Sequence, residues 1–320
     1  MTEGTQPPQP LRGRVALVAG ATRGAGRGIA RMLGEAGAVV WCTGRGTRER
    51  PSAEGAYAGR PETIEETAAL VDAAGGEGIA VRVDHASEKE VAALVRRIER
   101  ERGRLDLLVN VLGSPPMEPA SAFWKLPLAE LRARFDAYVW PHIVTARAVA
   151  PGMVKRRGGL LVEILESRTL GYHAPFFYDL GPLVLKRLAY AVAEEGAPHG
   201  VAAVAVAPGF MRTEMVLAHF GTTEDGWREA ARTSAGRSFG LAGSETPCFV
   251  GRAVAALAAD PATPVRWSGA VTSSWELSEA YGFDDVDGGR PHWGRYFAEH
   301  FPALAGAEPL TGVDWRQVRR

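Results

Sequence analysis

The sequence predicts an α/β protein built on a parallel sheet with helices on both faces. Two observations carry this. Short apolar runs alternate with longer segments of helical period over most of the chain, and the turn after the first run is glycine-rich and opens directly into a helix. Arg14 to Ala19 is the first strand, and Ile29, Ala30, Leu33 and Ala36 recur at helical spacing before a second strand over Ala38 to Cys42. A helix follows from about Thr63 to Ala74, then a strand from Ile79 to Val83. Val91, Leu94, Val95 and Ile98 form the stripe of the next helix, with Ser87 and Glu90 at the spacing of a capping box. The alternation continues with a strand over Leu105 to Val109, a long helix near Leu128 to Val154 and a strand over Leu160 to Leu165. A helix through Leu183 to Glu195, a strand over Val201 to Ala207 and a final strand over Ser268 to Ser273 complete it. Gly46 to Arg60 has no apolar period and reads as a surface loop.

Thirty-seven Lys and Arg balance thirty-seven Asp and Glu, which removes any bulk electrostatic case for nucleic acid or an anionic membrane surface. Small-molecule chemistry is the default. Cys42 and Cys248 are the only cysteines, too few for a disulfide scaffold, and they suit a reducing cytoplasm. The histidines show no metal-binding spacing, and Asp284, Asp285 and Asp287 before Gly288 lack the register and terminal Glu of a calcium loop, so a turn is expected and no metal. Residues 1–10 are polar and Pro-rich, expected to be a flexible N-terminus, and no segment supplies about 20 uninterrupted apolar residues for a membrane span.

After the first strand stands Gly20-Ala21-Thr22-Arg23-Gly24-Ala25-Gly26. Glycines there let the backbone approach a pyrophosphate, which then sits on the positive end of the helix. This Gly-x-x-x-Gly-x-Gly run resembles that of the short-chain dehydrogenase/reductase superfamily, and the resemblance extends from about Leu11 to Val271. It implies a Rossmann-type doubly wound sheet over residues 11–274, a nicotinamide cofactor, a small-molecule substrate and a homodimer or homotetramer. Asp84 matches the family's adenine-contacting acid, with His85 beside it. Asn110 and Gly113 keep the ends of the family's Asn-Asn-Ala-Gly, and Pro208-Gly209 followed by Thr213 looks like the loop that meets the nicotinamide carboxamide.

Cofactor choice turns on the end of the second strand, where an acid would hold ribose hydroxyls and repel a 2′-phosphate. Trp41-Cys42-Thr43-Gly44-Arg45 has no acid, and Arg45 with Arg23 can clamp a phosphate, so NADP(H) is expected over NAD(H).

The family's catalytic set is an Asn, a Ser, a Tyr and a Lys four residues after the Tyr. The resemblance places Tyr178 at the tyrosine, Pro182 at the lysine, Glu166 at or next to the serine and Tyr138 at the asparagine. Without the lysine's ammonium a tyrosine stays near its ordinary pKa of ~10, with about one molecule in a thousand ionised at neutral pH. It can donate a proton but hardly accept one. A buried Glu166 is pushed toward its neutral form and can donate as well, so reduction of a carbonyl is favoured over oxidation of an alcohol. Lys186 lies one helical turn beyond Pro182 and is either a replacement for the lysine or an ordinary helix cation. Gly181-Pro182 resembles a helix start, since proline is tolerated at the first helical position. His173 falls where family loops line the substrate pocket, and ligand contact and loop packing both stay open. Beyond residue 274, Trp275, Tyr281, Phe283, Trp293, Tyr296, Phe297 and Trp315 form an aromatic extension over 275–320 expected to pack on the same domain or a partner subunit.

Three functions compete. The first is a cytoplasmic NADP-dependent reductase with a rebuilt active site. The second is a redox-neutral isomerase, dehydratase or cyclase that uses Glu166 and Tyr178. The third is a catalytically silent NADP-binding or scaffold protein.

Overall fold

A computed structural model describes residues 9–51, 58–113, 122–166 and 176–302. The strands are β1 (Val15–Ala19), β2 (Val39–Gly44), β3 (Glu77–Arg82), β4 (Leu107–Asn110), β5 (Gly159–Ile164), β6 (Val201–Ala207) and β7 (Val271–Ser273). The helices are α1 (Gly24–Glu35), α2 (Ile64–Ala74), α3 (Glu88–Arg102), α4 (Leu128–Arg156), α5 (Phe176–Gly196), α6 (Glu214–His219), α7 (Trp227–Ala230), α8 (Ser234–Phe239), α9 (Pro247–Ala259), α10 (Thr263–Arg266), α11 (Ser274–Tyr281) and α12 (Trp293–His300). All seven strands pair in parallel, in the order β3-β2-β1-β4-β5-β6-β7. The strand order reverses between β1 and β4, and the crevice beyond their carboxyl ends is where open α/β sheets bind ligands.

Successive strand residues point to opposite faces. Val18, Val40, Val109, Val162 and Val204 therefore pack on one side against Ile29 and Leu33 of α1 and Val250, Val254 and Leu257 of α9. Leu17, Trp41, Leu108, Leu161 and Ala203 pack on the other against Val91, Leu94 and Ile98 of α3 and Val144 and Val149 of α4. Such double coverage requires apolar strands throughout, and β1 and β6 are buried at every position.

The structure moves several expected boundaries. The third strand begins at Glu77, the fourth at Leu107 and the last at Val271. Ser87 caps α3 by accepting from Glu90 N at 3.3 Å, but the Glu90 carboxylate accepts from Asp84 N at 2.9 Å, so the reciprocal half of the capping box goes elsewhere. The complete box is at α2, between Thr63 and Glu66.

The largest correction is in α5. This helix starts at Phe176, so Tyr178 lies in its first turn and Pro182 lies inside it, not at its first position. Tertiary contact overrides the proline. The Phe177 ring packs on Tyr138 of α4 at 6.3 Å, and Gly181 lies so close to the same ring that a Cβ would overlap it. Pro182 then removes one i→i−4 hydrogen bond, to the Tyr178 carbonyl.

After β6 the chain is organised around Arg212, whose side chain is almost completely buried. Its guanidinium donates to Glu224 and Asp287 at 2.9 Å each and to the Ser244 carbonyl at 2.6 Å, and lies 3.8 Å from the Trp227 ring. The planar fork meets several acceptors while its face covers an aromatic ring, which an ammonium cannot reproduce. The expected aspartate turn also finds its role here, because Asp287 binds Arg212 and Asp285 accepts from the Thr246 N–H at 2.8 Å. Arg212→Ala should cost about 3 kcal/mol of unfolding free energy, and Arg212→Lys a large part of that, because the buried Ser244 carbonyl loses its donor, the Asp287 and Glu224 carboxylates lose their cation and the Trp227 ring loses its cover. Urea denaturation followed by circular dichroism measures both.

Candidate active site

The crevice end of β1 is shaped by backbone contact. Gly20 has φ +94°, and a Cβ on it would overlap the Val111 carbonyl; a Cβ on Gly26 would overlap the Gly20 carbonyl. No other residue type fits either place without moving main chain. Gly24, also at positive φ, and Ala25 open α1, whose N-cap residue Arg23 provides no side-chain cap. The Gly24 N–H instead donates to Glu214 Oε2 at 2.9 Å.

Arginines cluster around this helix end. Arg23 Nε lies 3.4 Å from Glu62, Arg60 is paired with the same carboxylate, and Arg27 reaches Glu66 at 3.3 Å and Glu214 at 3.9 Å. Burial would raise the Glu62 pKa, but Arg60 and Arg23 hold it below the ordinary carboxylate value. Arg45 is exposed at the end of β2, and Thr22 lies against Gly44. Asp84 is half-buried and accepts from Ala86 N at 3.0 Å.

Two residues expected at the cofactor turn their side chains inward. The His85 ring sits between Thr43 Oγ1 at 2.8 Å and Thr145 Oγ1 at 3.0 Å, and burial lowers its pKa to about 3. Both ring nitrogens are engaged, leaving only its backbone to face a nucleotide. Asn110 is fully buried, and its Nδ2 donates to Glu163 Oε1 at 2.8 Å. Gly113, at positive φ and exposed, closes the described part of that loop.

The chemical end combines residues from β5, α4 and α5. Tyr138 is buried and its hydroxyl donates to Glu166, just past β5. Burial raises the Glu166 pKa, opposed by the Tyr138 hydrogen bond and by the charges of His142 and Lys186. Tyr178 is raised by burial and then by Glu166, and Tyr138 well above its ordinary value by the same two causes. Lys186 is buried at 3% exposure. The structure thus brings Tyr138, Glu166, Tyr178 and Lys186 into one electrostatic unit. His173 lies outside the described residues.

Behind this unit is a pair that no motif announced. His142 Nδ1 is 2.5 Å from Glu163 Oε2, and Nε2 donates to the Leu112 carbonyl at 2.8 Å. Burial alone would lower the His142 pKa, yet the Glu163 carboxylate and these hydrogen bonds raise it overall. The only sequence signal was a single acid inside the apolar run Leu160–Ile164.

On the far side, the Gly209 N–H donates to Glu245 Oε2 at 2.9 Å, as does the Ser274 hydroxyl at 2.6 Å. A Cβ at Gly209 would crowd both Glu245 and Trp293 of α12. Thr213 caps α6 by accepting from Val216 N at 3.3 Å. Among the described residues no group of His, Cys, Asp and Glu is placed to hold a metal.

The family model for short chain dehydrogenase matches residues 14–222. The chain belongs to this family. Dehydrogenase/reductase SDR family member 1 of Mus musculus is 33% identical over 87% of this chain and 85% of its own length. The Homo sapiens protein of that name is 32% identical over 96% and 92%. The crystal structure of a short chain dehydrogenase from Mycobacterium thermoresistibile superposes with TM-score 0.68 at 20% identity, covering 86% of this chain and 89% of its own, a likeness of fold. Short-chain dehydrogenases use nicotinamide dinucleotides, and the crevice fits one. Gly20 and Gly26 let the turn between β1 and α1 pack directly on the Val111 and Gly20 carbonyls, and a carboxylate already stands on the first N–H of α1 where a pyrophosphate binds.

Glu245 provides a pH test of the short-chain dehydrogenase fold. Burial, together with the neighbouring Asp285 charge, raises its pKa from 4.5 to about 8 against the pull of Ser274, Gly209 and Arg212. The folded protein therefore binds this proton more tightly than the unfolded chain. Stability is greatest below the unfolded value and falls as pH rises toward the folded one. The difference in unfolding free energy between Glu245→Gln and wild type should change steadily between pH 4.5 and 8, with wild type losing more. Urea midpoints across that range measure it, and the subtraction cancels the opposing contribution of His85.

Proposed function

We propose that this short-chain dehydrogenase is an NADP-dependent reductase of a carbonyl on a small organic substrate, with Glu166 and Tyr178 as its proton donors. The observation that carries the reading is the half-buried Glu166 hydrogen-bonded by Tyr138, with Tyr178 and Lys186 near enough for their electrostatics to couple to it. NADPH, when bound, would supply the hydride for the carbonyl carbon. The chain's own task is to deliver a proton to the oxygen. Glu166 is biased toward its neutral form by burial, and Tyr178 stays a phenol, so both are loaded as donors. Once Glu166 has given up its proton, the carboxylate left behind is met by the Tyr138 hydroxyl and by the charges of His142 and Lys186. Lys186 thereby supplies, from one turn further along α5, the positive charge that Pro182 cannot. Neither donor is poised as a base, which favours reduction over oxidation.

NADP(H) is the cofactor proposed because no acid follows β2 and because Arg45, Arg23 and Arg60 surround that end of the crevice. Trp293 against Gly209 supports the aromatic extension as one wall of the substrate side. A homo-oligomer is proposed as well, with Trp140 on α4 and Leu183 on α5 exposed as apolar area for it. A cytoplasmic location is proposed from the two free, buried cysteines. Among the described residues no helix is long and apolar enough to cross a membrane.

Screening carbonyl compounds for NADPH consumption tests the reading. On any substrate found, Glu166→Gln should lower kcat by about 10²-fold or more with little change in the Kd of NADPH. In wild type the rate should fall as pH rises through the Glu166 pKa, and the variant should lose that limb. Turnover without a change in NADPH absorbance would favour the redox-neutral alternative. NADPH should bind more tightly than NADH by calorimetry, and Arg45→Ala should narrow the gap; equal affinities in wild type would remove the NADP assignment.

A further inference from the structure

The first N–H of α1 is occupied by a carboxylate from a residue 190 positions away. Glu214 opens α6, directly after Thr213, and its Oε2 accepts from Gly24 N at 2.9 Å while Oε1 lies 3.9 Å from Arg27 Nε. The charge of Arg60 also feels it. Nothing local competes for this position: Arg23 gives no side-chain cap, and the first turn of α1 contains no acid. A carboxylate here uses the same partial positive charge and the same N–H that the pyrophosphate of a dinucleotide needs. Two anions cannot both hold it.

We propose that Glu214 is a built-in competitor for the phosphate site, so that the dinucleotide must displace its carboxylate and carry α6 away from α1. The inference rests on the nucleotide-binding reading above and deepens it. The displacement is confined to α6, because the Pro208–Thr213 loop before it stays anchored, with Gly209 bound to Glu245 and packed on Trp293 and Arg212 held by Glu224, Asp287 and the Ser244 carbonyl. In the absence of cofactor the same contact caps α1 and keeps its N-terminus satisfied.

The two roles predict opposite signs in one variant. Glu214→Gln keeps the shape but loses the charge, and Glu214 is partly exposed, so the protein should fold. Without ligand its Tm should drop slightly, because α1 loses an anionic cap. With NADPH as the probe, fluorescence titration should give a Kd about five- to thirtyfold lower than wild type, and the Tm rise produced by saturating NADPH should be larger. Hydrogen exchange of the peptide spanning residues 213–220 should increase on NADPH binding in wild type and change less in Glu214→Ala. An equal or weaker NADPH Kd in Glu214→Gln overturns the inference while leaving the nucleotide reading intact. Failure of wild type and variant alike to bind NADPH or NADH overturns the reading and the inference with it.

Discussion

A carboxylate in the middle of a parallel sheet sets the terms for the crevice around it. Glu163 is completely buried on β5, in register with Asn110 of β4 and Ala205 of β6. An isolated charge there is not tolerable, so it is either neutralised or answered by a cation and hydrogen bonds. His142 is the answer. Its far nitrogen faces the Leu112 carbonyl, which only accepts, so that nitrogen carries a proton; the near one faces Glu163. The pair ties β5 and α4 to the chain just past β4, one strand from the topological switch point. Tyr138 is one helical turn before His142, so the same face of α4 that supports Glu163 also presents the Tyr138 hydroxyl to Glu166. Two acids three residues apart thus meet different fates, one held beside a buried imidazole and one pushed toward its neutral form.

This explains how much of the protein was legible beforehand. The strands and most helices could be read because apolar runs and helical stripes are local properties, and β6 was located to the residue. The glycine loop was legible because its requirements are local, a close backbone contact at Gly20 and Gly26 and a positive φ at Gly24. Pro182 reads as a helix start because the cost of an interior proline, about 3 kcal/mol, is a local property, whereas the packing of Phe177 and Gly181 on Tyr138 that outweighs it is a contact across some forty residues. Glu163, His142, Glu245, Glu214 and Arg212 escaped notice for the same reason. Each acquires its meaning from a partner on another element, and no spacing within the chain encodes that partner. The asparagine and histidine expected at the cofactor lie at the end of β4 and just past β3, and which way their side chains turn is decided by Glu163 and by the two threonines.

The relation between Pro182 and Lys186 shows why a missing motif residue is weaker evidence than it first looks. What an active site of this kind needs near its proton donors is positive charge, not a lysine at a set interval. One turn along a helix is about 5.4 Å, within the length of a lysine side chain, and a buried ammonium acts over such distances far more strongly than an exposed one. Moving the cation changes what it stabilises. Its charge acts on Glu166, so in the proposed reaction it supports the spent donor and does not activate the tyrosine.

The opposite end of the crevice has the complementary electrostatics. Arg23, Arg27 and Arg60 would repel one another without counter-charge, and the chain supplies it in Glu62, Glu66 and Glu214. These acids differ in how firmly they are held. Glu62 is buried beneath two arginines, whereas Glu66 and Glu214 are partly exposed and share Arg27, Glu214 at the longer distance of 3.9 Å. Under the displacement proposed for Glu214, a phosphate arriving here exchanges one anion for another and does not enter an empty cationic well, so the net gain is a difference between two similar terms. Affinity for the dinucleotide is then governed by the weakest-held carboxylate, and the arginines contribute selectivity for where the phosphates lie more than raw binding strength.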